Sequence, residues 1–245
     1  MERFRVEHPE YVGVPMTYAG RLDPMADGLL VVLVGEECKK KDQYLGLDKE
    51  YVCEVLLGVE TDTYDVLGLV PRNLGEVGKE SRKNVGHFFG TDEISHVLKT
   101  FLGKHTQTYP PYSSKPVGGK PLFAHAREGT LGEIEMPTKE VEIYDVALVT
   151  TREITREKLL EEVVAKIAMV TGDFRQQEII ASWKKTLEQE DAQQKLTIAT
   201  IRAEVSSGTY MRSIAHELGK KLGVPALAFL ITRMRIGEFI ADSVL

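Results

Sequence analysis

Apolar positions along this chain recur with two periods, and the switches between them mark out its elements. From 49 to 59 alternate residues are apolar or aromatic, with Tyr51, Cys53, Val55, Leu57 and Val59 on one face. This predicts a half-buried strand running into a turn at 60–65. Similar patterns at 141–149, 198–205 and 229–236 predict further strands. The run Leu29, Leu30, Val31, Val32, Leu33, Val34 has the length and branched content of a buried strand. The stretch 2–11 looks like a helix, and helical spacing predicts one beginning at Thr91-Asp92-Glu93, where Ile94, Val97, Leu98, Phe101 and Leu102 precede a stop at Gly103. A short helix at 121–128 has Pro121 in its first turn and Gly129 after its end, and one at 210–222 is closed by Gly223. Within 152–196 two stripes follow each other, Leu159, Leu160, Val163, Val164 and Ile167, then Ile179, Ile180, Trp183 and Leu187. Thr155 and Asp173 serve as caps, with Gly172 between the helices. The reading is an α+β chain, one domain over 1–245, with a helical hairpin inserted between strands.

Composition narrows the class. With 245 residues and 42% hydrophobic content the chain can bury a sizeable core. No run approaches the roughly 18 apolar residues of a membrane span, and the start lacks a signal peptide's apolar stretch, so a cytoplasmic protein with no membrane partner is expected. Cys38 and Cys53 have no partner at disulfide or metal-ligand spacing. The net charge of −6 argues weakly against a nucleic-acid partner. Yet basic residues gather at Lys39-Lys40-Lys41, at Lys115, Lys120 and Arg127, at Lys220-Lys221, and at Arg233 with Arg235, so a local basic face is possible. Each cluster read alone is a solvated surface.

Three segments carry candidate chemistry. Tyr18 to Leu30 places Asp23 on a turn bounded by Gly20, Pro24 and Gly28 directly before the apolar run, although Asp before Pro is also an ordinary turn signature. Ser206-Ser207-Gly208-Thr209-Tyr210-Met211-Arg212 reads as a strand end, a glycine turn and a helix start, which projects an aromatic ring and a guanidinium into one region. Thr232 to Gly237 adds a third element near the end. Asp62 and Asp65 with Asp23 offer a carboxylate set for a divalent metal, but the stretch has no histidine and reads better as a capped turn.

Together these segments resemble the TruB-type tRNA pseudouridine synthases. The matching blocks are AGRLDPMADGLL, KEYVCEVLLGVETDTYDVLG, PPYSSKPVGGKPLFAHAREG, SSGTYMRSIAHELGKKLG and ITRMRIGEF, in the family's order from Tyr18 to Phe239. The resemblance implies the pseudouridine synthase catalytic fold, a mixed, largely antiparallel sheet flanked by helices with the active-site cleft across it. It also implies isomerisation of a uridine in the T-arm stem-loop of tRNA, at the position conventionally numbered 55, by a monomer without cofactor or metal. Asp23 matches the family's essential aspartate, acting at the sugar as nucleophile or as base in a glycal route. Tyr51 matches the tyrosine that stacks on the target base and is placed for proton transfer from C5. Arg212 matches the arginine that pairs with the carboxylate. Tyr18, Gly20, Arg21, Tyr210, Ile231, Lys115 and Arg127 are the expected substrate contacts, Ile231 standing where the family carries a leucine near the flipped base.

Three departures stand out. Tyr18 replaces a histidine associated with opening the RNA loop, the chain begins within what looks like the family's first helix, and it stops at Leu245 without room for a C-terminal PUA domain. The first departure puts loop choice in doubt and the second suggests a start upstream of Met1. The 152–196 insertion, with Arg156, Lys158, Lys184 and Lys185, either touches RNA or stabilises the shortened protein. Its acidic residues, Glu190 and Asp191 among them, favour packing. The competing reading is a non-catalytic RNA-binding or tRNA-folding protein on the same scaffold.

Overall fold

The computed structural model describes residues 2–71, 89–188 and 192–241. The elements in order are α1 (Glu2–Glu7), β1 (Met16–Ala19), β2 (Ala26–Gly28), β3 (Val31–Val34), α2 (Lys41–Leu45), β4 (Lys49–Leu57), α3 (Thr91–Lys99), β5 (Gly103–Thr108), β6 (Pro116–Val117), β7 (Lys120–Pro121), α4 (Leu122–Glu128), β8 (Thr138–Thr155), α5 (Arg156–Met169), α6 (Gln176–Leu187), β9 (Lys195–Val205), α7 (Met211–Leu222), β10 (Ala226–Ile236) and β11 (Phe239–Ile240). The main sheet runs β11-β10-β4-β9-β8-β5, antiparallel throughout, with β2 added in parallel against β10. This is the expected α+β arrangement, a largely antiparallel sheet flanked by helices.

The period of two in β4 and β9 divides the sheet into two unlike faces. On one, Cys53, Val55, Leu57, Ala199, Ile201 and Ala203 pack under α3 and α7 through Ile94, Leu98, Ile214 and Leu218. On the other, Leu56, Ile198, Leu227 and Phe229 pack under the α5–α6 hairpin through Leu159, Val163, Ile167, Ile179 and Trp183. Beyond the hairpin that second face is open and carries charges paired across strands. Arg202 contacts Glu50 (3.6 Å) and Asp145 (3.1 Å), and Arg235 contacts Glu204 (2.5 Å).

Several expectations change. The run 29–34 is not a buried core strand. Only 31–34 form β3, which pairs with β1 in a separate two-stranded ribbon, Leu30 is 39% exposed, and Leu33 alone of the run is buried. The helix over 2–11 is interrupted, with α1 ending at Glu7 and a 3₁₀ turn following at Pro9–Tyr11, because Pro9 cannot continue the hydrogen-bond ladder. Leu102 turns outward after α3 ends. Strand β8 is twice the expected length and accommodates it with register shifts at 143–145 and 148–150. Strand β5, for which no apolar alternation gives a signal, forms the sheet's edge.

The two helices expected within 152–196 are α5 and α6, between β8 and β9, and Thr155 caps α5 by accepting from Lys158 N. Asp173 does not cap α6; Arg175, at φ 62°, occupies that position. Arg156 is no surface contact either, being 4% exposed and bonded through Nε to Gln194. Glu190 and Asp191 lie outside the described residues. Trp183 anchors the hairpin: it is fully buried and its Nε1 donates to Val66 O at 3.3 Å. Trp183→Ala is expected to destabilise the protein by about 3–5 kcal/mol in urea unfolding, through the cavity it leaves; a loss below about 1 kcal/mol would mean the hairpin contributes little to the fold.

Candidate active site

The site is built where the α7 face of the sheet runs past the end of its helical cover. Leading out of β1, Gly20 turns the chain at φ +77°, and the segment returns through β2, which lies parallel to β10 with Gly28 beside Arg233. A Cβ on Gly28 would stand 2.4 Å from Arg233 O, so only glycine permits this approach. Between these anchors the 23–26 turn, closed by Ala26 N donating to Asp23 O, presents the Asp23 carboxylate.

Arg212, in the first turn of α7, meets Asp23 with two prongs, Nε to Oδ2 at 2.8 Å and Nη2 to Oδ1 at 3.0 Å. Its Nη1 donates to Thr63 O at 3.0 Å, and Nη2 also reaches Tyr112 O at 3.3 Å. A second carboxylate stands behind it, with Asp65 Oδ2 at 3.6 Å from Nε. Burial opposes the Arg212 charge, but Asp23 and Asp65 together outweigh it and hold the guanidinium pKa above its ordinary value. Asp65 is pushed up to about 6, chiefly by burial and despite the arginine. Its Oδ1 accepts from Thr63 Oγ1 (2.7 Å) and Leu67 N (2.8 Å). The 61–65 turn is held from outside by Tyr64, at φ +63°, whose ring stacks on His216 at 3.8 Å.

In front of Asp23 lies a cavity of about 260 Å³. Gly20, Arg21 and Asp23 line one side, Lys49 and Tyr51 of β4 with Ile231 and Arg233 of β10 form the sheet side, and Tyr109 and the 207–211 segment close it. Tyr109 and Tyr210 meet edge to face at 5.5 Å, and the Gln107 side chain fixes the Tyr210 backbone from both sides, accepting from its N and donating to its O. Burial raises the Tyr51 hydroxyl, with Arg233 pulling the other way. Lys49, 6% exposed and bonded to Leu45 O and Leu47 O, is brought down to about 8 by burial and by Arg233. The cavity therefore holds one oriented carboxylate among several cations and aromatic rings.

Of the expected site residues, Asp23, Tyr51, Gly20, Arg21, Tyr210 and Ile231 line this cavity, with Arg212 directly behind Asp23. Tyr18 stands next to it, its hydroxyl accepting from Arg21 at 3.3 Å and Lys41 Nζ lying 5.9 Å from its ring. Lys115 Nζ is 5.5 Å from the Tyr109 ring. Arg127 is not brought to the cavity; it is exposed in the last turn of α4. Arg233, grouped with Arg235 as surface charge, is 2% exposed. The carboxylate triad for a metal does not assemble: Asp62 turns to Arg175 (3.4 Å) and Asp65 to Arg212, and no metal-binding cluster occurs among the described residues. Lys49, Tyr109 and Arg233 join the site unforeseen, and Asp65 joins it as a partner of Arg212. For Lys49 and Arg233 the signal was there, since each lies two residues along a strand from a foreseen neighbour and so shares its face.

The family profile described as TruB family pseudouridylate synthase (N terminal domain) matches residues 14–172. The chain is 28% identical over 222 residues to the tRNA pseudouridine synthase B of Aquifex aeolicus (strain VF5), covering 90% of this chain and 58% of that protein. It is 33% identical over 222 residues to the protein of the same name from Shouchella clausii (strain KSM-K16), covering 91% and 57%. The chain thus spans less than two thirds of the length of these curated relatives. Among solved structures, a crystal structure of a Cbf5-Nop10-Gar1 complex contains a chain that matches with a TM-score of 0.53 at 18% identity, covering 98% of this chain and 46% of that one; this is a likeness of fold.

Removing the central cation leaves Asp65 buried beside no counter-charge. Arg212→Met is expected to cost about 3–5 kcal/mol in urea unfolding at neutral pH, and a cost below about 1 kcal/mol would show that the network carries little. Because its folded pKa is raised, Asp65 contributes stability that is complete below its ordinary value of 3.8 and is lost as pH rises through about 6. Asp65→Asn is expected to remove that decline from a stability profile measured across this range, and an unchanged slope would contradict the assignment.

Proposed function

The chain belongs to the TruB family, and from that membership we propose that it isomerises uridine to pseudouridine in the T-arm stem-loop of tRNA, at the position conventionally numbered 55. The observation that carries the reading is the two-pronged Arg212–Asp23 pair at the wall of a cavity that also holds Tyr51.

To reach a base held in a folded loop the enzyme has to flip it out, which costs a few kcal/mol. Stacking on Tyr51, with Tyr210 and Tyr109 nearby, offsets this by about 1–3 kcal/mol per base. Asp23, turned by Arg212 to face the cavity, acts at the ribose as nucleophile or as base in a glycal route. The N1–C1′ bond breaks, the base turns, C5 joins C1′, and the C5 proton leaves by way of Tyr51. Ile231 packs beside the flipped ring. Arg21, Lys49 and Arg233 give the cavity a positive lining suited to a polyanion despite the net charge of −6.

Tyr18, with Arg21 and Lys41 against it, takes the loop-opening position, and Lys115 with Tyr109 offers a second cation and ring at the edge of the cavity. The 152–196 hairpin serves as packing, since its apolar stripes cover the sheet. The protein acts as a monomer in the cytoplasm.

Tritium release from C5-labelled uridine in a tRNA transcript tests the reading. Native protein is expected to release it only when the T-loop uridine is present. Asp23→Asn is expected to fall at least about a thousandfold while tRNA affinity stays within about threefold. Binding without release by native protein would instead support the RNA-binding or tRNA-folding reading.

A further inference from the structure

Arg233 is among the largest fully buried side chains of the protein, and the reaction scheme gives it no chemical step. Among the described residues no carboxylate forms an ion pair with it. Its hydrogen bonds go instead to backbone carbonyls at the two ends of one loop: Nε donates to Leu29 O at 2.8 Å and Nη2 to Gly20 O at 3.0 Å. Its own carbonyl accepts from Leu29 N at 2.8 Å. Asp23 lies between those two ends. On its other flank Arg233 is the direct cross-strand partner of Tyr51.

We propose that Arg233 is a positioning residue that closes the Asp23 loop from both ends and holds it at a fixed distance from the Tyr51 hydroxyl. A guanidinium suits this geometry, since its fixed fork of divergent N–H donors meets carbonyls nine residues apart while its charge stays beside Tyr51. Arg212 sets the direction of the Asp23 carboxylate from its far side, whereas Arg233 sets where the loop that carries it sits over the sheet. The same cation opposes the upward push of burial on Tyr51 and so links the group at the sugar to the group placed for the C5 proton. Gly20 and Gly28 belong to the device. A Cβ at Gly28 would collide with the Arg233 backbone, and one at Gly20 would stand 3.5 Å from its guanidinium at a left-handed φ.

The inference rests on the proposed isomerisation for its kinetic test but not for its spectroscopic one. With Arg233→Lys and Arg233→Gln, single-turnover tritium release at saturating tRNA, where any loss of affinity does not enter, is expected to fall about tenfold to a hundredfold, the scale of a displacement near 1 Å. The ionisation of Tyr51, followed by the NMR shift of its hydroxyl-bearing ring carbon in the free protein, is expected at higher pH in Arg233→Gln and to move less in Arg233→Lys. A merely structural arginine would lower stability and leave that titration where it was. Release within threefold of native in both variants, or an unmoved Tyr51 titration in Arg233→Gln, would overturn the proposal. Should Arg233→Gln fail to fold, Arg233→Lys decides, since it keeps the charge and loses the fork. Native protein that releases no tritium counts against the isomerisation alone, and the Tyr51 titration then still tests whether the Arg233 charge stands against Tyr51.

Discussion

A guanidinium taken almost wholly out of water has to be met at each of its donors, and around Arg212 that requirement gathers four segments far apart in the chain. The Asp23 loop supplies a carboxylate, the 61–65 turn supplies Thr63 O and Asp65, the segment before α4 supplies Tyr112 O, and α7 carries the arginine itself. Each partner is fixed by the others. The two carboxylates differ in surroundings, one facing the cavity with 30% of its side chain exposed and the other sealed behind it at 5%. One cation thus orients the exposed carboxylate while sharing its charge with a buried one, which supports the arginine from behind.

The sheet makes that convergence possible. Its α7 face is covered by helices over 53–57 and uncovered over 49–51, so the same strand that fills the core with Cys53, Val55 and Leu57 presents Lys49 and Tyr51 to the cavity. The opposite face is dry beneath the α5–α6 hairpin and charged beyond it. A rigid antiparallel sheet fixed from both sides lets Tyr51 and Arg233 stand opposite one another in register, with the Asp23 loop laid across their strands by the parallel addition of β2.

Charge is arranged as carefully as shape. The protein is acidic as a whole, yet Arg21, Lys49 and Arg233 line the cavity and Arg212 stands behind Asp23, while Lys41 and Lys115 stand against Tyr18 and Tyr109. Acidic side chains are spent on the open sheet face, paired with arginines.

Periodicity alone determined most of the elements, because burial of one face writes itself into the residues that must share it: β4, β9, α3, α7 and the α5–α6 hairpin all lie where their apolar spacing puts them. The candidate residues were legible as a set, since Asp23, Tyr51 and Arg212 stand in short blocks that resemble one family's, and the structure brings them to one cavity. What sequence could not decide was everything set by a neighbour distant along the chain. The apolar run at 29–34 looks like core, but only 31–34 of it form a strand, in a two-stranded ribbon apart from the main sheet, and β5 lacks an apolar face because it lies at the sheet's edge. Arg233 looks like surface charge but is buried, because carbonyls at both ends of a loop some two hundred residues away close around it. Asp65 reads as a turn residue until α7 brings Arg212 against it. Local pattern reports which faces must leave water; only the tertiary structure decides which buried charges meet, since a charge pair costs or stabilises according to partners that no local pattern contains.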